Sequence, residues 1–191
     1  MPGKLKPFSE VMELTSTISR AGDFYPDECE AYYDLLSALP DKARVLEIGL
    51  RFGRSSSIVG QVAATKQFRY LAIDPFIHPP EARQAWIKMM DGIYPQYELL
   101  YQYSHQSLRQ IIERRPFDLA LIDGGHRYDD TMLDCHAVFP HSSTVCIHDY
   151  GSPIHPTVKK AVDDYMDATG RLTFTGIDVA NTLAIYCRTA W

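Results

Sequence analysis

The stretch Val45-Leu46-Glu47-Ile48-Gly49-Leu50-Arg51-Phe52-Gly53-Arg54-Ser55-Ser56-Ser57 constrains the fold more than any other part of the chain. Val45, Leu46 and Ile48 suit a strand over residues 44–49 buried on both faces, because the apolar run is too short to stand as a helix. Gly49 and Gly53 allow a sharp turn and a close backbone approach that a Cβ would obstruct. Ser55 to Ser57 then open a helix whose Ile58, Val59, Val62 and Ala63 pack back on a sheet. Open α/β sheets bind nucleotides at such a strand, loop and helix. An ordinary βα connection with glycines kept for geometry explains the stretch equally well.

The spacing narrows the ligand. A dinucleotide site needs G-x-G-x-x-G, since the pyrophosphate sits on a bare helix N-terminus. Here Arg51 stands where the middle glycine would be, and Glu47 precedes the loop, which opposes a phosphate and suits a cation. S-adenosylmethionine, with an ammonium and a sulfonium and no phosphate, fits. The pattern E-x-G-x-x-x-G-x-S resembles motif I of class I S-adenosylmethionine-dependent methyltransferases.

A chain of 191 residues with 46% hydrophobic content accommodates one α/β domain and a short appendage. The net charge of -5 and the pI near 5.8 argue against a nucleic-acid backbone as the main partner. Cys29, Cys135, Cys146 and Cys187 are far apart and form no C-x-x-C, so neither a zinc site nor a disulfide framework is indicated. The first residues lack an apolar h-region, and no run reaches membrane-spanning length, so a soluble, cytoplasmic protein is expected.

Val11, Leu14 and Ile18 mark a weak amphipathic helix stopping near Gly22, and Pro26 opens a second with Tyr32, Leu35, Leu36 and Leu39 on one face. Residues 1–40 are thus a helical extension to a domain spanning 41–191. It is open to capping the cofactor pocket, lining the acceptor pocket, joining subunits of a homo-oligomer, or simple packing. A second strand, 68–73, ends at Asp74, where an acid hydrogen-bonds ribose hydroxyls in nucleotide-binding folds. Pro75-Phe76-Ile77-His78-Pro79-Pro80 reads as an exposed loop over the pocket, followed by a helix with Trp86, Met89 and Met90 suited to core packing. A third strand, 97–103, leads to Ser107-Leu108-Arg109-Gln110, which has the form of a capping box with Leu108, Ile111 and Ile112 as the buried face. By the resemblance, Gln106 and Ser107 meet the adenine edge, although capping alone explains Ser107.

The fourth strand, 117–122, delivers Asp123-Gly124-Gly125-His126-Arg127-Tyr128. F-D-L-A-L-I-D-G-G-H-x-Y resembles motif IV of a methyltransferase-24-like subgroup of small enzymes, which implies that Asp123 and His126 face the transferring methyl. A helix over 129–139 follows, with His136 read as a packed residue. The fifth strand, 143–147, ends in His148-Asp149-Tyr150, and a helix from about Val158 closes at Gly170. Strands at 172–175 and 183–187 form an antiparallel edge pair. The resemblance implies a Rossmann-like three-layer α/β sandwich whose mostly parallel seven-stranded sheet has the order 3-2-1-4-5-7-6, with strand 7 antiparallel. It also implies a cofactor-binding set of Glu47, Gly49, Arg51, Phe52, Gly53, Ser55, Ser56, Asp74, Pro75, Phe76, Gln106, Ser107, Asp123 and Gly124.

The departing thioether is neutral and needs no acid, whereas an acceptor hydroxyl must lose its proton near neutral pH. A general base or a metal is therefore required. Asp123, His148 and Asp149 lie at the ends of adjacent strands and form the candidate Mg²⁺ set. The macrocin-type sugar O-methyltransferases, which the chain distantly resembles, place acids at both junctions. This chain has His148 where a second acid often stands, and a neutral imidazole is a poor Mg²⁺ ligand. Without a metal, Asp123 helps hold the sulfonium end of the cofactor and His126 or His148 serves as base. Both routes stay open from sequence, and His78, His105, His141 and His155 read as surface or loop histidines. The leading function is S-adenosylmethionine-dependent O-methylation of a small hydroxylated metabolite, a sugar or natural-product intermediate. A non-catalytic ligand-binding or partner subunit and an NAD-dependent oxidoreductase are the alternatives.

Overall fold

Strands β1 (Arg44–Ile48), β2 (Arg69–Ile73), β3 (Tyr97–Leu100), β4 (Phe117–Ile122), β5 (Ser142–Ile147), β6 (Phe174–Ala180) and β7 (Leu183–Arg188) form one sheet in the order β3-β2-β1-β4-β5-β7-β6. The first five pair in parallel, and β7 runs antiparallel to both β5 and β6. The computed structural model describes residues 4–17, 24–77, 79, 81–169 and 174–189. The expected positions of Ile18, Gly22, His78, Gly170 and Leu172 lie outside these.

Alternation along the strands sorts the core into two layers. Val45, Tyr70, Ala72, Leu119, Leu121 and Cys146 face one side, packed by α1 (Phe8–Thr15), α2 (Pro26–Ala38), α3 (Arg54–Lys66) and α4 (Ala82–Ile93). Leu46, Ile48, Leu71, Ile73, Ala120 and Ile147 face the other, covered by α5 (Leu108–Arg114), α6 (Tyr128–Val138) and α7 (Pro156–Thr169). A strand buried on both faces needs bulky residues at every position, which is how β1, β4 and β5 read. Trp86 and Met90 are buried in the first layer, as their spacing predicts. No described helix is long and apolar enough to cross a membrane, and all four cysteines are free thiols.

The N-terminal helices enter the same core. Thr15 Oγ1 lies 2.9 Å from Ser57 Oγ, and Gln61 Nε2 donates to the Val11 carbonyl at 3.2 Å, fixing α1 on α3. Val11 is buried but Leu14 is exposed, so the apolar stripe of α1 is narrower than its sequence suggests.

Four expectations are corrected. The third strand ends at Leu100, because residues Ser104–Ser107 wind into a 3-10 turn. The capping box does not form: Ser107 Oγ donates to the Tyr103 carbonyl and accepts from Gln102 Nε2, and of the three apolar residues on α5 only Ile111 is buried. His136 is exposed, its ring meeting Tyr165 edge-on. The last hairpin is tighter than expected, since β6 runs to Ala180 and only Asn181 and Thr182 connect it to β7, with Asn181 in left-handed backbone.

Candidate active site

The loop after β1 is shaped by contacts that leave no room for side chains. Gly49 has φ +88°, and a Cβ there would overlap the Asp123 carbonyl oxygen, so the first and fourth strand ends touch through bare backbone. Gly53, at φ +90°, caps α3 and would push a Cβ to 2.7 Å from Trp86 Cδ1. Between them the amides of Leu50 and Arg51 donate to Asp74 Oδ2 at 2.6 and 3.1 Å, and Phe76 N–H donates to Asp74 Oδ1. Asp74 thus ties the loop to the end of β2.

A cavity of about 660 Å³ opens above this loop, a size typical of small-molecule sites. Gly49, Leu50, Arg51, Phe52, Gly53, Ser55, Asp74 and Pro75 line one part; Asp123, Gly124, His126, His148 and Asp149 line the other. Several predicted residues lie elsewhere. Glu47 is fully buried beneath the loop, accepting from Ser55 Oγ at 2.5 Å, from Ser56 Oγ at 3.1 Å and from the Tyr70 hydroxyl. Burial raises its pKa to about 7 against the lowering effect of those bonds. Ser56, also buried, accepts from Trp86 Nε1 at 2.8 Å. Phe76 packs beside Trp86 and Tyr101, and Ile77 faces the cavity instead. Gln106 is exposed and Ser107 buried, neither on the cavity wall, where Tyr103, Ser104 and His105 stand.

At the end of β5 the polar groups converge. His148, only 5% exposed, points Nδ1 at Asp123 Oδ1 (2.9 Å) and Nε2 at Glu28 Oε2 (3.3 Å). Phe24 covers its ring at a centroid distance of 5.1 Å. Glu28 comes from α2 and is fully buried; its carboxylate also accepts from the backbone N–H groups of Tyr25 and Thr182 and from the Thr182 hydroxyl. Burial works to raise the pKa of Glu28, but the bonds from His148, Thr182 and Tyr25 hold it below the ordinary value. Burial would lower the pKa of His148, yet the charge of Asp123 and the bonds to Asp123, Asp149 and Glu28 hold it well above. A ring with a carboxylate at each nitrogen donates from both and is an imidazolium.

Asp149 adopts left-handed backbone (φ +59°), a conformation aspartate tolerates better than most residues. Its Oδ2 lies 3.0 Å from His126 Nε2, 3.5 Å from His148 Nδ1 and 4.0 Å from His155 Nε2. Burial works to raise the carboxyl of Asp149, but the imidazoles of His126 and His148 beside it hold it far below its usual range. The Asp149 carboxylate beside His126 raises the pKa of that imidazole against burial. The His126 and His155 rings stack at 4.0 Å. Thr157 Oγ1, at the start of α7, donates to the His126 carbonyl at 2.6 Å and joins the two loops. His155, in the loop before α7, and the exposed His105 also line the cavity.

Sequence reasoning missed Glu28 and His155. A glutamate beside Cys29, Tyr32 and Leu36 on the buried face of α2 was the available signal for the first. The H-D-x-x-x-x-x-H spacing from His148 to His155 was the signal for the second.

The profile of the family described as "Methyltransferase domain" matches residues 46–150, from β1 through the His148-Asp149-Tyr150 turn. The chain belongs to this methyltransferase family. No curated protein matches the sequence. Among solved structures, an O-methyltransferase from Bacillus cereus in complex with SAH superposes with a TM-score of 0.66 at 14% identity, covering 95% of this chain and 90% of that one. The MycE methyltransferase of the mycinamycin biosynthetic pathway, in complex with Mg and SAH, gives 0.66 at 16% identity; the match covers 97% of this chain but 55% of MycE. An rRNA methylase from Streptococcus thermophilus gives 0.59 at 18% identity, covering 84% and 95%. The shared fold of this methyltransferase therefore spans enzymes with different acceptors.

Proposed function

We propose that this S-adenosylmethionine-dependent methyltransferase methylates a hydroxyl oxygen on a small metabolite, a sugar or natural-product intermediate. The observation that carries the reading is one cavity walled by the Gly49–Gly53 loop and Asp74 at one end and by His126 with Asp149 at the other.

The residues fit the cofactor. The acids Asp74 and Asp123 set negative charge on the cavity wall, which suits a sulfonium and opposes a phosphate, and Gly49 lets the loop close against the end of β4. Gly49, Arg51, Phe52, Gly53, Ser55, Asp74, Pro75, Asp123 and Gly124 would hold it, while Glu47 and Ser56 stiffen the loop from beneath. Gln106, Ser107 and Phe76 are not assigned contacts. When bound, S-adenosylmethionine supplies an electrophilic methyl group.

The Mg²⁺ set does not fit. His148 has both ring nitrogens turned to carboxylates, so no lone pair is left for an ion between Asp123 and Asp149. For the same reason His148 is a fixed positive charge and not a base. His126 is the group with access to an acceptor: it lines the cavity, and Asp149, beside Nε2, stabilises the imidazolium formed when Nδ1 takes the hydroxyl proton. Asp123, held by His148, keeps its second oxygen available at the cavity wall. A net charge of -5 supports a small acceptor over a nucleic acid.

Incubation with S-adenosylmethionine and a panel of hydroxylated sugars and polyketide alcohols, with S-adenosylhomocysteine release as readout, tests the reading. Thermal shift supplies the binding half, because a ligand at 100 times its Kd adds about 2.7 kcal/mol to the native state. Stabilisation by NAD in place of S-adenosylmethionine would overturn it.

A further inference from the structure

We propose that His126, Asp149 and His155 form a binding site for a divalent first-row transition-metal ion such as Zn²⁺, and that occupation withdraws His126 from proton transfer. The site deepens the proposed function, because it uses the residue assigned as base, but its metal chemistry stands on geometry alone.

Two imidazole nitrogens and one carboxylate oxygen lie within 4.8 Å of one another. Zinc takes histidine nitrogen and carboxylate oxygen at roughly 2.0–2.2 Å, so two atoms on one tetrahedral ion sit roughly 3.3–3.6 Å apart. The distances from Asp149 Oδ2 to His126 Nε2, 3.0 Å, and to His155 Nε2, 4.0 Å, bracket this range, so each needs to change by less than about 1 Å. His126 Nε2 is shut off from solvent and, despite its approach to Asp149, has no well-aligned hydrogen bond, which leaves its lone pair for an ion. The stacked rings, 16° from parallel, bring both Nε2 atoms to one carboxylate.

The surroundings hold the ligands in place. Pro153 and Pro156 flank His155 and stiffen its loop, and Thr157 fastens that loop to the His126 carbonyl. Asp149 is fixed by its backbone and by His148 Nδ1, an outer-shell contact of the kind that orients metal ligands. The remaining coordination position faces the cavity, the arrangement of three protein ligands and one open place. Imidazole-rich sets select zinc, copper or nickel over magnesium. An ion on Nε2 leaves the ring's one proton on Nδ1, so the loaded protein is the form without a base.

Co²⁺ titration of the metal-stripped protein, followed by visible absorption, with Zn²⁺ competition by calorimetry, tests the site. The expected result is 1:1 binding, undisturbed by millimolar Mg²⁺ and weakened on the order of 100-fold in both His155→Ala and His155→Gln. Unaltered melting of either variant excludes misfolding as the cause. Absent stoichiometric binding to the parent protein, or an affinity in both variants equal to the parent's, overturns the proposal. S-adenosylhomocysteine binding measured on the same sample separates the two readings: if it binds and Co²⁺ does not, the metal site alone fails; if Co²⁺ binds and it does not, the methyl-transfer reading fails.

Discussion

Glu28 and His148, separated by 120 positions in the chain, meet at 3.3 Å in the interior. The contact ties α2 to the cavity wall, because Glu28 holds one end of a ring whose other end holds Asp123. Glu28→Gln removes the charge while keeping the shape. The expected result is a kcat lowered on the order of tenfold with S-adenosylhomocysteine affinity nearly unchanged, and a loss of about 1–3 kcal/mol in urea denaturation from the weakened buried network. An unchanged kcat would reduce Glu28 to a structural group.

Asp74 accepts three backbone N–H groups across the loop after β1. Asp74→Ala frees those amides and loosens the wall of the cavity, so S-adenosylhomocysteine affinity falls by about 1.5–3 kcal/mol, the worth of hydrogen bonds to a charged group. Asp74→Asn, which retains one acceptor oxygen, recovers part of this. Calorimetric titration of both variants reads the difference.

His126→Ala leaves the loop, Asp74 and Asp123 in place and removes the proton acceptor. Turnover falls by roughly 10²–10⁴, the usual contribution of a positioned base, with cofactor affinity retained. Single-turnover rates with a competent acceptor decide the matter, and normal turnover would take His126 out of the mechanism.

Glu47 links stability to pH. Its folded-state pKa, about 7, lies above the ordinary 4.5, so between those values the native state keeps a proton that the unfolded chain has released. Stability therefore declines as pH rises across that window and levels off above about 7. At about 1.4 kcal/mol per pKa unit the decline attributable to Glu47 is at most about 3.5 kcal/mol. Asp134, raised to about 7 by burial, adds to it with the same sign. Glu47→Gln should flatten the pH dependence of urea midpoints between pH 5 and 7.5 while leaving the share due to Asp134.

The strand ends were legible because chemistry follows directly on buried runs: Asp123 and His126 after β4, His148 and Asp149 after β5. Strand order could be read only through resemblance. Glu47 shows where local reading falls short. Period-two alternation puts it on the same face as Val45, in the layer of α3, yet its place beside the glycine loop suggested a ligand. Ser107 matched a capping pattern, but the Tyr103 carbonyl and Gln102 compete for the same hydroxyl. Glu28 and His155 depend on how a helix and a loop close over the sheet, which the buried face of α2 and the H-D-x-x-x-x-x-H spacing hint at without fixing which groups they meet.

Thr182, in the tight turn between the last two strands, gives both its amide and its hydroxyl to Glu28. An early helix and the final hairpin are thereby stitched together behind His148. The acid that steadies this ring is therefore fully seated only when the hairpin 154 positions further along the chain is in place.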